Sequence, residues 1–210
     1  MIRRILLVTV VMLLGLSAVA QEFPKAEVGL TYSYIRYTPA PTYTPSMNGN
    51  GGGGSVTFNV SRFFGIEGEF VGAGLSKAHW TVPVGNQYAP NGASITSSGN
   101  LFTYLFGPRI RIPAQKVTPY FDFLFGGVHT SAFNQAIAAC PSCTTKANPS
   151  GNAFGMSIGG GMDVPVTHTI AIRVAQIDYL YTRFNNGLTG EHGQNNFRYQ
   201  AGVVFRFGGE

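Results

Sequence analysis

Period-two alternation of apolar and polar side chains recurs in eight segments of this 210-residue chain, and helical periodicity is almost absent beyond the first twenty residues. Alternation of this kind puts one row of side chains on each face of an extended strand. In 27–37, Val28, Leu30, Tyr32 and Tyr34 share one face, opposite Gly29, Thr31 and Ser33. In 55–60, Val56, Phe58 and Val60 oppose Ser55, Thr57 and Asn59. Segment 64–72 sets Phe64, Ile66 and Phe70 against Glu67 and Glu69. Segment 101–112 sets Phe102, Tyr104, Phe106, Ile110 and Ile112 against Thr103, Gly107, Arg109 and Arg111.

The second half repeats the pattern. In 119–127, Phe121, Phe123 and Phe125 lie opposite Tyr120, Asp122 and Gly126. In 153–164, Phe154, Met156, Ile158 and Met162 alternate with Gly155, Ser157, Gly159, Gly161 and Asp163. Segment 169–181 starts with Ile170, Ile172 and Val174 opposite Arg173, then slips phase near Gln176, because Tyr179 and Tyr181 fit the apolar face better than Asp178. A one-residue β-bulge explains the slip. Segment 196–207 closes the series with Phe197, Tyr199, Val203, Phe205 and Phe207 against Arg198, Gln200, Gly202 and Arg206.

The connectors alternate in length. Pro/Gly/Asn/Ser-rich stretches at about 38–54, 73–100, 128–152 and 182–195 separate the two segments of each pair, and the joins at 61–63, 113–118 and 165–168 are short. An even number of strands, short turns at one end and long loops at the other mark an outer-membrane barrel. The expected fold is therefore all-β: an eight-stranded antiparallel transmembrane β-barrel with short periplasmic turns and four long extracellular loops. The glycine-rich 48–54 reads as a flexible loop end, because no Lys-Ser/Thr and no helix follow it to build a phosphate cradle. A soluble lipocalin-type barrel, with the aromatic face turned inward, is the competing architecture.

Composition agrees with a lipid-facing exterior. The chain holds 16 Phe, 10 Tyr and 28 Gly but only 11% charged residues, against roughly 25% in soluble domains. Residues 1–20 read as a signal peptide, with Arg3 and Arg4 before the apolar run Ile5 to Leu16, then Ala18 and Ala20 at the small-residue positions of a cleavage site. Cleavage after Ala20 leaves 21–210 as one barrel domain destined for the outer membrane. The formal charge of +5 includes the two leader arginines, so the mature excess is about +3. With no basic run, nothing points to nucleic acid.

If the first strand rises from the periplasm, Glu27, Glu67, Glu69, Arg109, Arg111, Asp122, Asp163, Arg173 and Arg206 all face inward in the periplasmic half. An Arg or Lys on the lipid face near the midplane costs about 2–4 kcal/mol, whereas an eight-strand interior is just wide enough for side chains to fill. Neighbouring strands set opposite signs side by side: Glu67 and Glu69 by Arg109 and Arg111, those by Asp122, Asp163 by Arg173, and Arg206 by Glu27. The expectation is an ion-paired plug. An ion pathway lined by the same residues is the functional alternative.

The runs "FGIEGEF", "GPRIRI", "TPYFDFLFGG", "IRVAQIDYLYTRF" and "YQAGVVFRF" resemble the OmpA-like outer-membrane β-barrel family, specifically its small eight-stranded members, over essentially the whole mature chain. The resemblance implies a signal for the barrel-assembly machinery at Tyr199, Phe205 and Phe207, although "GGE" follows where many members end. It implies contact with outer-membrane lipid and lipopolysaccharide and a monomer, and the peptidoglycan anchoring of larger relatives is not implied. Roles in the family range over adhesion, complement resistance, small-solute passage and envelope integrity, and fold analogy does not choose among them.

No catalytic constellation stands out. "HTSAFN" puts His129 and Ser131 on one face, similar to the His-x-Ser of lipid A deacylases, but Ala132 replaces the Asn that follows there and no acid is placed to orient His129. His79, His129, His168 and His192 are scattered, so neither metal nor cofactor is expected. Trp80, Tyr88 and His79 give the 73–100 connector groups for an extracellular ligand, or for the membrane interface. Cys140 and Cys143, the two cysteines of the chain, lie in the 128–152 connector. Export through an oxidising compartment favours a Cys140–Cys143 disulfide over a redox centre, which needs a thiol activated at a helix N-terminus, and over half a zinc site.

Overall fold

The computed structural model describes residues 23–39, 45–85, 90–114, 116–132, 151–185 and 191–209. The strands are β1 (Ala26–Tyr37), β2 (Met47–Asn59), β3 (Phe64–Val82), β4 (Ala93–Arg111), β5 (Thr118–Thr130), β6 (Asn152–Pro165), β7 (Ile170–Asn185) and β8 (Glu191–Phe207). Each pairs antiparallel with its sequence neighbour and β8 closes on β1, so the sheet has no edge. Closure satisfies every ladder, which is what an apolar solvent demands of a sheet.

The two faces separate as the alternation requires. Leu30, Phe58, Phe70, Phe106, Phe121 and Phe207 stand outside and exposed, while Glu67, Asp122 and Ser157 on the other parity are fully buried. The aromatic face therefore points outward, which excludes the lipocalin arrangement and gives the barrel its lipid-facing band. The β2–β3 and β6–β7 turns share one construction. Ser61 Oγ accepts from the backbone N–H groups of Phe63 and Phe64, and Thr167 Oγ1 from those of Thr169 and Ile170. Each hydroxyl stands in for a backbone acceptor and tightens its turn.

Three of the expected loops are largely strand. The glycine-rich 48–54 lies inside β2, paired on both sides; a Cβ on Gly51 or Gly53 would strike the backbone of β3, so the sharply coiled sheet needs glycine there. The 73–100 connector is mostly the upper part of a hairpin of two 19-residue strands, β3 and β4. The 182–195 connector is mostly β7 and β8. Loop-like composition misled in each case, because Gly, Ser and Asn also suit strands that leave the membrane or approach their neighbours closely.

The phase slip in β7 is a bulge: Arg173 pairs Gly202 but Gln176 pairs Gln200, so Val174 and Ala175 oppose one residue. A second bulge, at Ser76 and Lys77 in β3, has no such precursor in the sequence pattern. Above it the hairpin reverses polarity. Lys77, His79 and Thr81, with Ser94 and Thr96, continue the lipid-facing side, while Ala78, Trp80 and Ile95 turn toward the barrel axis. The hairpin carries about 16 Å of strand beyond Met47 of β2, and its polarity change marks where the solvent changes from lipid to water.

Candidate functional site

Among the described residues the barrel interior holds six acids (Glu27, Glu67, Glu69, Asp122, Asp163, Asp178) and five arginines (Arg109, Arg111, Arg173, Arg198, Arg206), all buried. At the periplasmic end Arg111 of β4 reaches Glu27 of β1 at 3.0 Å, and Arg206 of β8 meets the same oxygen at 3.4 Å. One layer higher, Arg109 lies 3.0 Å from Glu67 and donates to Thr57 Oγ1 at 3.1 Å. Arg173 makes its pair with Asp163 at 3.0 Å. Between these layers Tyr120 is sandwiched, its ring centroid 3.7 Å from the Arg109 guanidinium and 4.8 Å from that of Arg173. Its hydroxyl donates to Gln176 Oε1 at 2.8 Å.

The third layer crosses the lumen. Arg198 of β8 pairs with Glu69 of β3 at 2.6 Å and Asp178 of β7 at 2.9 Å, and donates to Thr103 of β4 at 3.3 Å. Gln200 Nε2 adds bonds to Glu69 at 2.6 Å and Asp178 at 3.3 Å. Such pairs hold only when each charge finds its partner, since the desolvation cost of an ion in a low-dielectric interior is several kcal/mol.

The structure thus brings together Glu27, Arg111 and Arg206; Glu67 and Arg109; Asp163 and Arg173. It gives Glu69 to Arg198 rather than to a neighbouring arginine. Asp122 sits opposite Arg109 in register, yet neither of its carboxylate oxygens has a hydrogen bond among the described residues. Asp178, Arg198, Gln176, Gln200 and Tyr120 complete the network and were not singled out by sequence. The signal for Arg198 was its inward parity, and for Asp178 the phase slip that turns it inward; that the two pair was not legible.

Above the ion pairs the interior becomes apolar. Ile35, Leu75, Leu101, Leu105, Leu124, Val128, Leu180 and Phe184 are buried in one contiguous cluster. A doublet such as Leu105-Phe106 or Leu124-Phe125 marks this storey in the sequence, because both faces of the strand are then apolar. Leu105, in register with Glu69, packs at the level of the ion pairs, and Leu75, Leu101 and Phe184 continue the packing above.

The remaining expectations separate. Tyr199, Phe205 and Phe207 lie on the outer face of β8, and Tyr199 donates through its hydroxyl to the Val174 carbonyl in the β7 bulge at 3.2 Å. His129 Nδ1 lies 2.9 Å from Asn152 Oδ1, and Ser131 Oγ accepts from the Asn100 N–H at 2.9 Å, so each engages a different partner. His79 is bracketed by Thr96 and Ser94. Trp80 packs against Ile95 and His168 is in the exposed β6–β7 turn. Residues 1–20, Tyr88, Cys140 and Cys143 lie outside the described residues, as does the side chain of His192.

The family model for the outer membrane protein beta-barrel domain matches residues 6–207. A search among curated proteins found no match. Among solved structures, Neisserial surface protein A is similar with a TM-score of 0.60 at 13% identity, over 87% of this chain and 97% of that one. Ail, the attachment invasion locus protein of Yersinia pestis, is similar with a TM-score of 0.50 at 15% identity, over 88% of this chain and 99% of that one.

Proposed function

Because this chain belongs to the outer membrane protein beta-barrel family, we propose that it is a non-conducting, non-enzymatic envelope barrel whose interior is structural and whose activity lies at its cell-surface end. The filled lumen carries this reading: the bond from Arg198 of β8 to Glu69 of β3, three strands away around the barrel, lies beneath an apolar storey. A barrel shut in this way serves as a rigid scaffold for what projects from it. Among the described residues the raised β3–β4 hairpin is the longest such projection, with its outward ladder of Lys77, His79, Thr81, Ser94 and Thr96.

The role is structural and adhesive. A Cys140–Cys143 disulfide fixing the loop after β5 belongs to the same reading, as does recognition by the barrel-assembly machinery through Tyr199, Phe205 and Phe207. Adhesion is tested by displaying the barrel on a Gram-negative host and replacing residues 77–97 with a short turn. The trimmed barrel should keep its heat-modifiable gel shift and lose adherence to cultured cells and immobilised glycans. Unchanged adherence would contradict the adhesive role.

A further inference from the structure

The β3–β4 hairpin rises from the barrel with a strand edge uncovered. β2 pairs with β3 only as far as Gly49 opposite Leu75, and the Asn48 N–H donates to Ser76 Oγ at 3.2 Å one step higher. The chain of β2 then leans away, since Ser46 Oγ lies 3.3 Å from Thr38 Oγ1 on the β1 side. Among the described residues no backbone hydrogen bond reaches 77–82 from that side. The other edge of the hairpin is engaged at its base. There Ser97 Oγ donates to the Ala132 carbonyl at 2.7 Å, and the Ser131 N–H to the Asn100 carbonyl at 3.0 Å.

An antiparallel strand sends alternate N–H and C=O pairs to its two sides, so 77–82 leaves about 20 Å of edge without a ladder. Natural edges are blunted by proline or by inward-pointing charge, and Ala78, His79, Trp80, Thr81 and Val82 supply neither. The side chains beside this edge divide by face. Lys77, His79 and Thr81 point outward, while Ala78, Trp80 and Val82 turn toward the barrel axis, where Trp80 packs on Ile95. Trp80 and Val82 are only half-buried and keep surface for a neighbour. Exposed Arg36 of β1 stands at the foot of the edge, in register with Asn48. Every described acidic side chain is inside the barrel, so no described acid balances Lys77 and Arg36 on the outer face.

From this geometry we infer that the 77–82 edge takes up an extended segment of another protein as an added strand, and that the segment alternates acidic and apolar residues. Main-chain bonds to an edge supply affinity, and alternate side chains supply specificity. The acidic row lies beside Lys77 and Arg36 outside, and the apolar row beside Ala78, Trp80 and Val82 inside. Opposite charges and aromatic–aliphatic neighbours are the favourable pairings across adjacent strands. A sugar or a lipid headgroup has no backbone with which to complete the ladder. The inference rests on the hairpin being the adhesive element of the barrel.

The test uses the barrel refolded in lipid nanodiscs and three fluorescein-labelled heptapeptides. One alternates Val and Glu, one alternates Val and Lys, and one is the Val–Glu peptide N-methylated at alternate amides. Anisotropy should show saturable binding of the Val–Glu peptide, at least fivefold tighter than that of either control. At saturation, hydrogen exchange should slow at 77–82 and stay unchanged in β7. Lys77→Glu should weaken binding at least fivefold with the gel shift retained. Absence of Val–Glu binding, equal binding of the N-methylated peptide, or unaltered exchange at 77–82 would overturn the inference. Adherence separates the claims: if trimming 77–97 abolishes adherence while the Val–Glu peptide does not bind, this inference falls alone.

Discussion

Arg198 of β8 and Glu69 of β3 meet at 2.6 Å across the lumen, three strands apart on the closed sheet. The same guanidinium holds Asp178 at 2.9 Å, so one side chain neutralises two carboxylates from different walls. Replacing Arg198 with Leu strands both acids, and breaking a buried pair in this way costs about 3–5 kcal/mol. Urea unfolding of the refolded barrel should show a loss of that order. A loss below 1 kcal/mol would mean that water already serves these carboxylates.

Asp122 should behave in the opposite way. Its carboxylate is fully buried and has no ion pair or hydrogen bond among the described residues. Asp122→Asn removes charge without stranding a partner, whereas Asp163→Asn leaves Arg173 without its carboxylate. The first change should be neutral or stabilising and the second destabilising by about 3–5 kcal/mol. Paired unfolding curves read the contrast directly.

Much of this could be read from the sequence, for identifiable reasons. Lipid outside and polar groups inside impose a strict alternation on Phe121, Asp122 and Phe123, so strand identity and face were legible there. Even the β7 bulge showed, since Asp178 and Tyr179 cannot both be placed unless the phase slips near Gln176. Strand ends were not legible. Gly51, Thr96 and Asn195 have loop-like chemistry, yet they lie in strands because the barrel coils tightly at the first and rises into water at the other two. The pairing of Glu69 with Arg198 was hidden for another reason: alternation gives the face, but contacts across a lumen depend on which layers the tilted strands bring level.

The bulge itself supplies a prediction. The β7 irregularity leaves the Val174 carbonyl with the Tyr199 hydroxyl as a partner at 3.2 Å. Tyr199→Phe keeps the ring and removes that bond, leaving a carbonyl in an apolar surrounding at a cost of about 1–3 kcal/mol. Unfolding in detergent should show this loss with the folded gel mobility retained. No change would mean that the carbonyl is satisfied from elsewhere.

Two glycines should respond oppositely to the same methyl group. A Cβ on Gly159 would overlap the Asp178 carboxylate and the Ile177 carbonyl, while one on Gly68 meets open space. Gly159→Ala should destabilise by about 1–3 kcal/mol, as overpacking does. Gly68→Ala should be neutral or stabilise by up to about 1 kcal/mol through the unfolded chain. Equal effects at the two positions would contradict the layered interior.

The most direct test is single-channel recording of the refolded barrel in planar bilayers. A lumen filled by the Arg198–Glu69 layer and by the Leu75, Leu101 and Phe184 storey above it predicts current indistinguishable from the bare membrane. Discrete conductance steps from the wild-type barrel, abolished when Arg109 and Arg111 are replaced, would show that the interior is a pathway and not a seal.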